Sequence, residues 1–217
     1  MSNLRTGTYG QYYGSFYDES EVLSASEMEV NARYIYSYLS DKGWTLNAIA
    51  GVLGNMENES GLNPGRWQND NVGGGPAYGL VQWDPWSKYV NWCTEQGYSD
   101  PSEMDNNLAR LIYELDNGLQ YYKNHYPYTF KQFVESTDSP YTLACAFAFD
   151  YERSAVVIGG TEAQKEALRQ LRGGDAEKWY KFLSGVDPEP PVGPVGPTKK
   201  KKGLTLMMMY LATKRKV

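Results

Sequence analysis

The chain has 217 residues, enough for one well-filled domain of about 150 to 190 residues and additional segments. Its 41% hydrophobic and 22% charged residues are ordinary for a globular protein, and its formal net charge is −5. The first 197 residues carry 14 basic and 26 acidic side chains, which argues against nucleic acid as the main partner.

Residues 1–23 are rich in Gly, Tyr and Ser without hydrophobic periodicity, which predicts an extended or flexible arm. They lack the charged and apolar run of a signal peptide, so we expect no export by the general pathway. A domain follows from residue 24 to residue 185. Ser26 and Glu29 form a capping-box pattern for a first helix that runs to Gly43, and Thr45 caps a second helix.

The central part of the chain predicts a long irregular segment followed by further helices. Residues 61–79 contain PGRW, NDN and GGGP, and a loop of this length is usually functional or disordered. Helical patterns follow at 84–97, 103–119 and 129–136. Ser139 and Pro140 begin an apolar helix that we expect to be buried, and Thr161 and Asp175 cap two last helices. The fold class is therefore mainly α, with at most a small hairpin near 62–82.

The C-terminal part has the composition of a linker and a tail. Residues 186–198 read VDPEPPVGPVGPT, a Pro-rich linker that is stiff and extended. Residues 199–217 combine seven Lys or Arg with an apolar run of about eight residues, far below the roughly 20 residues of a membrane span. Three consecutive methionines offer an adaptable surface. We expect this tail to dock onto another protein, with contact to an anionic membrane as the weaker alternative.

The residue inventory excludes several classes of enzyme. A single histidine, His125, is too few for a zinc peptidase, so no metal and no cofactor are expected. No G-x-S-x-G motif occurs. Cys93 and Cys145 lie inside helical patterns, where a buried reduced thiol is the expected state. Carboxylates remain as the chemical groups, and they suit glycosidic cleavage.

Two glutamates at the end of the second helix are candidates for that chemistry. Glu57 and Glu59 stand two positions apart in GNMENES, so they point to nearly opposite sides of a helix. Helical periodicity alone does not choose between them. Glu59 is nearer the helix C-terminus, whose dipole disfavours ionisation, and it opens into the long polar segment. Two solvated glutamates near a helix end are the alternative interpretation.

Three motifs in a fixed order give a family resemblance. ENESGLNP, YGLVQW and FDYERSA are similar to the lysozyme-like superfamily, and GNMENES with NPGRWQ, GLVQW and YER resembles the phage tail lysozyme family. The resemblance covers about residues 26–185 and implies a lysozyme-like domain with a cleft beside the long loop. It implies that Glu59 is the general acid. It also implies that the substrate-binding candidates are Gln82, Trp83, Tyr78, Trp67 and Tyr151.

The resemblance leaves the second carboxylate of a glycosidase open. Hydrolysis usually uses two carboxylates that flank the bond, and Asp84, Asp70 and Glu152 are the candidates. For Glu152 a structural role beside Arg153 is the favoured alternative. If none of the three serves, the enzyme is expected to be a lytic transglycosylase, in which the 6-hydroxyl of the substrate closes a ring.

The implied function is a muramidase carried on a virion, at the tail tip, that cleaves peptidoglycan glycan strands during genome entry. The partners implied are these glycan strands and, through residues 199–217, other phage tail proteins. The alternative from another class is a structural or sugar-binding tail protein without turnover.

Overall fold

A computed structural model describes residues 3–186 of the chain. This part is mainly helical, as the sequence predicted, and contains a two-stranded sheet. The predicted linker from 187 onward and the tail 199–217 lie outside the described residues, and the predicted domain limits stay predictions. The strands and α-helices, in chain order, are β1 Asn3–Gly7, β2 Gly10–Gly14, α1 Ala25–Asp41, α2 Leu46–Ser60, α3 Trp86–Glu95, α4 Met104–Asn117, α5 Phe130–Glu135, α6 Pro140–Phe147, α7 Ala155–Gly159 and α8 Glu162–Leu183.

Helix α2 packs closely against two other helices, α6 and α8, and two of its glycines permit the close approach. A Cβ atom on Gly54 would lie 2.6 Å from the carbonyl oxygen of Arg172 in α8. A Cβ atom on Gly51 would lie 3.0 Å from the backbone nitrogen of Ala144 in α6. These close approaches let α6 and α8 pack directly against α2. The last turn of α2 is thereby held against α8, where the candidate catalytic residues lie.

The helix starts confirm most of the predicted caps. Thr45, Ser139 and Thr161 each accept a hydrogen bond from a backbone N–H in the first turn of α2, α6 and α8. The capping box of α1 is formed by Ser24 and Glu27, two residues earlier than predicted. The pattern was ambiguous because SASE places serines at both positions.

The prediction that Asp175 begins a separate last helix is wrong, since α8 continues from Glu162 to Leu183. Two adjacent glycines suggested a break, but Gly173 is instead a packing position. A Cβ atom there would lie 2.2 Å from the ring of Tyr141, so only glycine fits beneath that ring. Tertiary packing therefore outweighs the low helix propensity of this stretch.

Residues 3–14 differ from the flexible arm predicted for the N-terminus. They form an antiparallel hairpin in which Asn3 faces Gly14 and Gly7 faces Gly10. The hairpin is fixed to the helices by polar contacts: Arg5 pairs with Asp100 at 2.7 Å, and Asn31 of α1 bonds the backbone of residue 13 in both directions. Tyr12 is 2% exposed. The Gly and Tyr residues thus serve a tight turn and core packing, two functions that composition alone does not separate from flexibility.

The segment between α2 and α3 is irregular, as predicted, and it is ordered by burial. It contains a 3₁₀ turn, Gln68–Asp70, and isolated antiparallel bridges join Trp67 to Tyr78 and Tyr78 to Trp83. The possible hairpin near 62–82 is thus reduced to single bridges. A buried amide, Asn63, holds the start of the segment by hydrogen bonds to Ser15 and to the carbonyl oxygen of Glu21.

Helix α6 is buried as predicted, from Leu143 to Phe147, and it passes into a π-helical turn, Ala148–Glu152. This turn delivers Tyr151 and Glu152 to the same side of the molecule as the end of the irregular segment. No helix within residues 3–186 is long and apolar enough to cross a membrane.

Candidate active site

The end of α2 is tied to the YGLVQW segment. Glu59 lies in the last turn, and Gly61 ends the helix in the left-handed conformation with φ 62°. The Ser60 hydroxyl donates to the carbonyl oxygen of Met56 at 3.1 Å and lies 2.9 Å from that of Leu80, a second acceptor for its proton. The Glu-Ser pair therefore has two separate functions. The serine anchors the helix end, and the glutamate is left to project from it.

The Glu59 carboxylate forms an ion pair with Arg172 of α8, in which Nη2 of the guanidinium donates to Oε1. The Arg172 side chain is 9% exposed, and its Nη1 also donates to the carbonyl oxygen of Asn55 at 3.0 Å. Its Nε is buried without a hydrogen-bond partner in the described part of the chain. Arg172 is thus a fixed cation directly against Glu59, whose own side chain remains 22% exposed.

A second carboxyl group, that of Glu152, belongs to the same cluster. Its Oε1 is buried and has no hydrogen-bond partner within residues 3–186. Desolvation raises the pKa of Glu152 well above its ordinary value, and the charge of Glu59 raises it further, while Arg172 acts in the opposite direction. The three side chains of Glu59, Glu152 and Arg172 therefore interact electrostatically as one unit.

Glu57 lies on another part of the α2 surface and has different partners. Its carboxylate accepts from Lys178 at 2.6 Å and from the indole nitrogen of Trp179 at 2.7 Å. Lys178 is half exposed. Both glutamates therefore contact α8. Glu57 shares the exposed Lys178 with Asp175, whereas Glu59 acts electrostatically on the buried Glu152.

A cleft of about 530 Å³ opens next to Glu152. The end of the irregular segment forms one part of its wall, α3 and α4 form another, and the turn after α6 forms a third. This size is within the usual range for sites that bind sugars or other small ligands. The lining residues are Val81, Gln82, Trp83, Asp84, Lys88, Arg110, Glu114, Leu119, Gln120, Tyr122, Tyr151, Glu152, Arg153 and Ile158.

The floor of the cleft holds a buried carboxylate that the sequence reasoning missed. Glu114 of α4 accepts from the indole nitrogen of Trp83 at 3.1 Å, from Nε of Arg110 at 2.9 Å and from the hydroxyl of Tyr151. A signal existed in the sequence, because Glu114 follows Leu111 by three positions on the buried stripe of its helix. With all its bonds made to protein groups, Glu114 is a structural anchor for Trp83 and Tyr151.

The four aromatic residues that were predicted to bind substrate divide into two pairs. Trp67 and Tyr78 have no exposed surface and pack together in the core, with ring centroids 4.7 Å apart, so neither presents a face to a ligand. Their prediction as binding residues is corrected to core residues. Trp83 and Tyr151 do line the cleft, but they are 7% and 2% exposed and are held by Glu114.

Of the three predicted polar site residues in or near the irregular segment, two line the cleft and one does not. Gln82 lines the cleft and donates to the carbonyl oxygens of Arg66 and Gly79 at 3.1 and 2.9 Å. Its Oε1 is buried and has no hydrogen-bond partner in the described residues. Asp84 is an exposed residue of the cleft lining. Asp70 is absent from this lining and pairs with Arg66 at 3.0 Å.

The two cysteines and the histidine, residue types that can serve as nucleophiles or metal ligands, have structural roles in the fold. Burial raises the pKa of Cys93 to about 12 and that of Cys145 to about 11, and both are free buried thiols as predicted. His125 contacts the buried Asp150, which accepts three backbone N–H groups of residues 124–126. Within residues 3–186, no group of three or more His, Cys, Asp or Glu side chains is placed to hold a metal ion.

Glu59 is absent from the cleft lining, whereas Glu152, on which its charge acts, is part of it. A mainly helical domain whose central helix ends in a Glu-Ser pair, with a carboxyl-lined cleft, is typical of a lysozyme-like protein. The sequence matches the family described as phage tail lysozyme over residues 30–183, and the chain belongs to this family. The resemblance inferred from the motifs is thereby confirmed. The chain is also 45% identical over 171 residues to Morphogenesis protein 1 of Bacillus phage B103. That match covers 78% of this chain and 44% of the relative, so the chain spans less than half of the length of that protein.

Proposed function

We propose that this chain is a muramidase that cleaves the glycan strands of peptidoglycan. The observation that carries the proposal is that Glu59, which is ion-paired with Arg172, acts electrostatically on Glu152, which lines the cleft. Glu59 itself is absent from the cleft lining. A glycosidase needs two carboxyl groups in different protonation states, and unequal environments are the physical means of obtaining them. Family membership supports the same chemistry.

In the proposed mechanism Glu59 is the general acid. A proton donor must reach the oxygen of the leaving sugar, and the Glu59 side chain retains exposed surface at the end of α2 whereas Oε1 of Glu152 is buried. The raised pKa of Glu152 keeps a proton on that residue, and Arg172 donates a hydrogen bond to the Glu59 carboxylate. In strongly interacting carboxyl groups the proton belongs to the pair. Glu152 is therefore the proposed source of the proton that Glu59 delivers.

The proposed second carboxylate is Glu152, in preference to Asp84 and Asp70. Asp70 pairs with Arg66 outside the cleft lining, and Asp84 is an exposed residue of that lining. After the glycosidic bond has broken, Glu152 in its ionised form stabilises the positive charge on the sugar or activates the incoming water. The availability of this second carboxyl group favours hydrolysis over ring closure by the 6-hydroxyl.

The substrate is proposed to bind along the cleft, with the lining residue Gln82 as the proposed partner of an N-acetyl group. The protein is proposed to act as a component of the phage virion, at the tail tip, during genome entry. This placement rests on the family and on the relative from Bacillus phage B103. Docking to other tail proteins through residues 199–217 remains a proposal from the sequence, as does the weaker alternative of membrane contact.

The experiment is digestion of purified peptidoglycan, followed by mass analysis of the released fragments. Hydrolysis predicts fragments with a reducing muramic acid end, whereas a transglycosylase yields a 1,6-anhydro end. Glu152→Gln is predicted to abolish the hydrolytic product. If Glu152→Gln is fully active, Glu152 is neither the proton source nor the second carboxylate. If the wild-type protein binds purified walls without releasing fragments, the non-catalytic tail protein is the correct interpretation.

A further inference from the structure

The cleft contains an arginine that neither the catalytic proposal nor the family match assigns. Arg153 follows Glu152 directly and lines the cleft. Its guanidinium carbon lies 4.2 Å from the centroid of the Tyr122 ring, which holds the group flat against an aromatic face. Its Nε is buried and has no hydrogen-bond partner within residues 3–186. Because Nε has no accessible surface, the donors that Arg153 can offer to a ligand are Nη1 and Nη2, for which no hydrogen bond is found within residues 3–186.

The backbone at Arg153 holds it in an unfavourable conformation. Its φ is 50° and its ψ is 47°, the left-handed region that side chains other than Gly and Asn rarely adopt. Its N–H closes the π-helical turn by donating to the carbonyl oxygen of Ala148 at 3.0 Å. Strain of this kind is concentrated at functional sites. Gln82, the other cleft residue with a positive φ, also has an unpartnered polar atom.

The charges of the cleft favour an anion beside Arg153. Among the lining cations, Arg110 is neutralised by Glu114 at 2.9 Å. Lys88 donates to the backbone carbonyl oxygen of Asp84, and neither Lys88 nor Arg153 has a carboxylate within ion-pair distance in residues 3–186. With Glu152 protonated, Lys88 and Arg153 face one exposed carboxylate of the lining, Asp84, so these unpaired charges leave a small positive excess in a chain whose net charge is −5. An acidic protein that keeps two unpaired cations in one cleft has a site suited to a carboxylate or a phosphate.

We propose that Arg153 binds a carboxylate of the peptide stem on the muramoyl residue, so that the cleft recognises peptide-substituted glycan rather than bare glycan. This inference rests on the proposed muramidase function. The stem is attached through the lactyl group of muramic acid, the sugar whose glycosidic bond a muramidase breaks. An anion-binding residue immediately after Glu152 in the chain is therefore near the place where the stem leaves the glycan. A planar guanidinium matches the two oxygens of a carboxylate.

The test uses two soluble probes that differ only in charge: an N-acetylmuramoyl dipeptide with free carboxylates and the same compound with its carboxylates amidated. A single sugar has no glycan bond to cleave, so binding is measured by NMR titration of the active protein. The wild type should bind the free acid about 10-fold more tightly than the amide, the effect of one charge-assisted hydrogen bond. Arg153→Gln should bring the two affinities together.

Two further variants keep the result interpretable. Arg153→Asn removes the cation with a residue that tolerates the left-handed conformation, so a folding defect in Arg153→Gln does not end the test. Arg33→Gln is the matched control, because Arg33 also stacks on a ring, that of Phe182, with 4.6 Å between the guanidinium carbon and the centroid. It is absent from the cleft lining and should keep the 10-fold preference.

The inference is overturned if the wild type binds acid and amide equally, or if both Arg153 variants keep the preference. A soluble glycerol phosphate polymer serves as a third probe. If its binding depends on Arg153 while that of the muramoyl acid does not, the site recognises a wall phosphate and the stem assignment is wrong. Digestion of peptidoglycan is read separately, because acid-selective binding without glycan cleavage would refute the muramidase proposal and leave this inference intact.

Discussion

Glu57 and Glu59 are two residues apart on α2, and both meet a cation of α8, yet their surroundings differ. Glu57 pairs with Lys178, whose side chain is 51% exposed, and also accepts from Trp179. Glu59 pairs with Arg172, whose side chain is 9% exposed. A second carboxyl group lies beside Glu59, whereas the second acidic contact of Lys178 is Asp175, on its own helix.

The comparison shows that the neighbouring helix, more than the helix carrying the glutamates, decides which of them is suited to chemistry. An exposed pair is screened by water and contributes little to stability or to protonation behaviour. One buried cation balances the charge of one carboxylate, so a second buried carboxyl group close to that carboxylate is favoured in its protonated form. The predictions below alter one side of this comparison at a time.

The largest expected effect is on catalysis. Glu59→Gln keeps the side-chain shape but removes the proton donor, which typically costs about 10² to 10⁴ in rate. Glu57→Gln should retain most of the activity, because an amide oxygen can still accept from the Trp179 indole. The measurement is the rate of glycan cleavage by each variant, with melting temperatures as the check on folding. Equal losses in two variants of unchanged stability would refute the assignment of Glu59.

A second large effect, on the free energy of unfolding, is expected from the removal of Arg172. Arg172→Met removes the partner of Glu59 and the hydrogen bond to the carbonyl oxygen of Asn55. Breaking a buried pair from one side costs about 3 to 5 kcal/mol, and because Glu59 partly reaches solvent we expect the lower end, about 3 kcal/mol. Chemical denaturation measures this loss. A change below about 0.5 kcal/mol, the usual effect of a surface substitution, would show that the pair contributes no more than an exposed one.

The sequence predicted the helices well where the local signals were unambiguous. Thr45, Ser139 and Thr161 cap helices as expected, because a hydroxyl before an apolar periodic run has one dominant structural use. The sequence patterns gave wrong helix ends where one residue type has two structural roles. The pair Gly173 and Gly174 suggested a helix end, but Gly173 accommodates the Tyr141 ring inside α8.

The candidate site was predicted in part for the same kind of reason. Glu59 and Glu152 were named as candidates because they belong to motifs, and their catalytic roles stay predictions. Gln82 lies in the cleft lining. Trp67 is core instead, since the sequence does not show which face of an irregular segment turns inward. Arg172 was missed because it acts from a helix more than a hundred residues away, and its role depends only on how α8 crosses α2 at Gly54.

A third prediction concerns the pH dependence of stability. Burial and the charge of Glu59 raise the pKa of Glu152 above its value in the unfolded chain, so the folded protein binds this proton more tightly. The resulting stability is fully present below the ordinary carboxyl pKa and is lost as pH rises through the folded pKa. Glu152→Gln cannot ionise at this position. Its melting temperature minus that of the wild type should therefore increase as pH rises from about 4 to about 8.

Melting temperatures of Glu59→Gln over the same pH range test whether the charge of Glu59 contributes to the raised pKa of Glu152. Removing the Glu59 charge eliminates one cause of the raised pKa and leaves Arg172 free to favour the ionised form of Glu152. The wild-type loss of stability with rising pH should therefore become smaller in Glu59→Gln. Parallel melting curves for wild type, Glu152→Gln and Glu59→Gln across this pH range would contradict the electrostatic coupling of the two carboxyl groups.

The smallest expected effect is on the Glu57 side. Lys178→Met removes the exposed ion pairs with Glu57 and Asp175 but keeps the hydrogen bond from Trp179 to Glu57. The methionine retains much of the apolar stem that lies beside the Trp179 ring. Exposed pairs contribute about 0.2 to 1 kcal/mol, and salt weakens them further. We therefore expect a stability loss within that range, smaller at high salt, and unchanged glycan cleavage. The comparison with Arg172→Met in the same denaturation series is decisive. If Lys178→Met costs as much as Arg172→Met, exposure does not distinguish the two ion pairs, and the difference between Glu57 and Glu59 needs another physical cause.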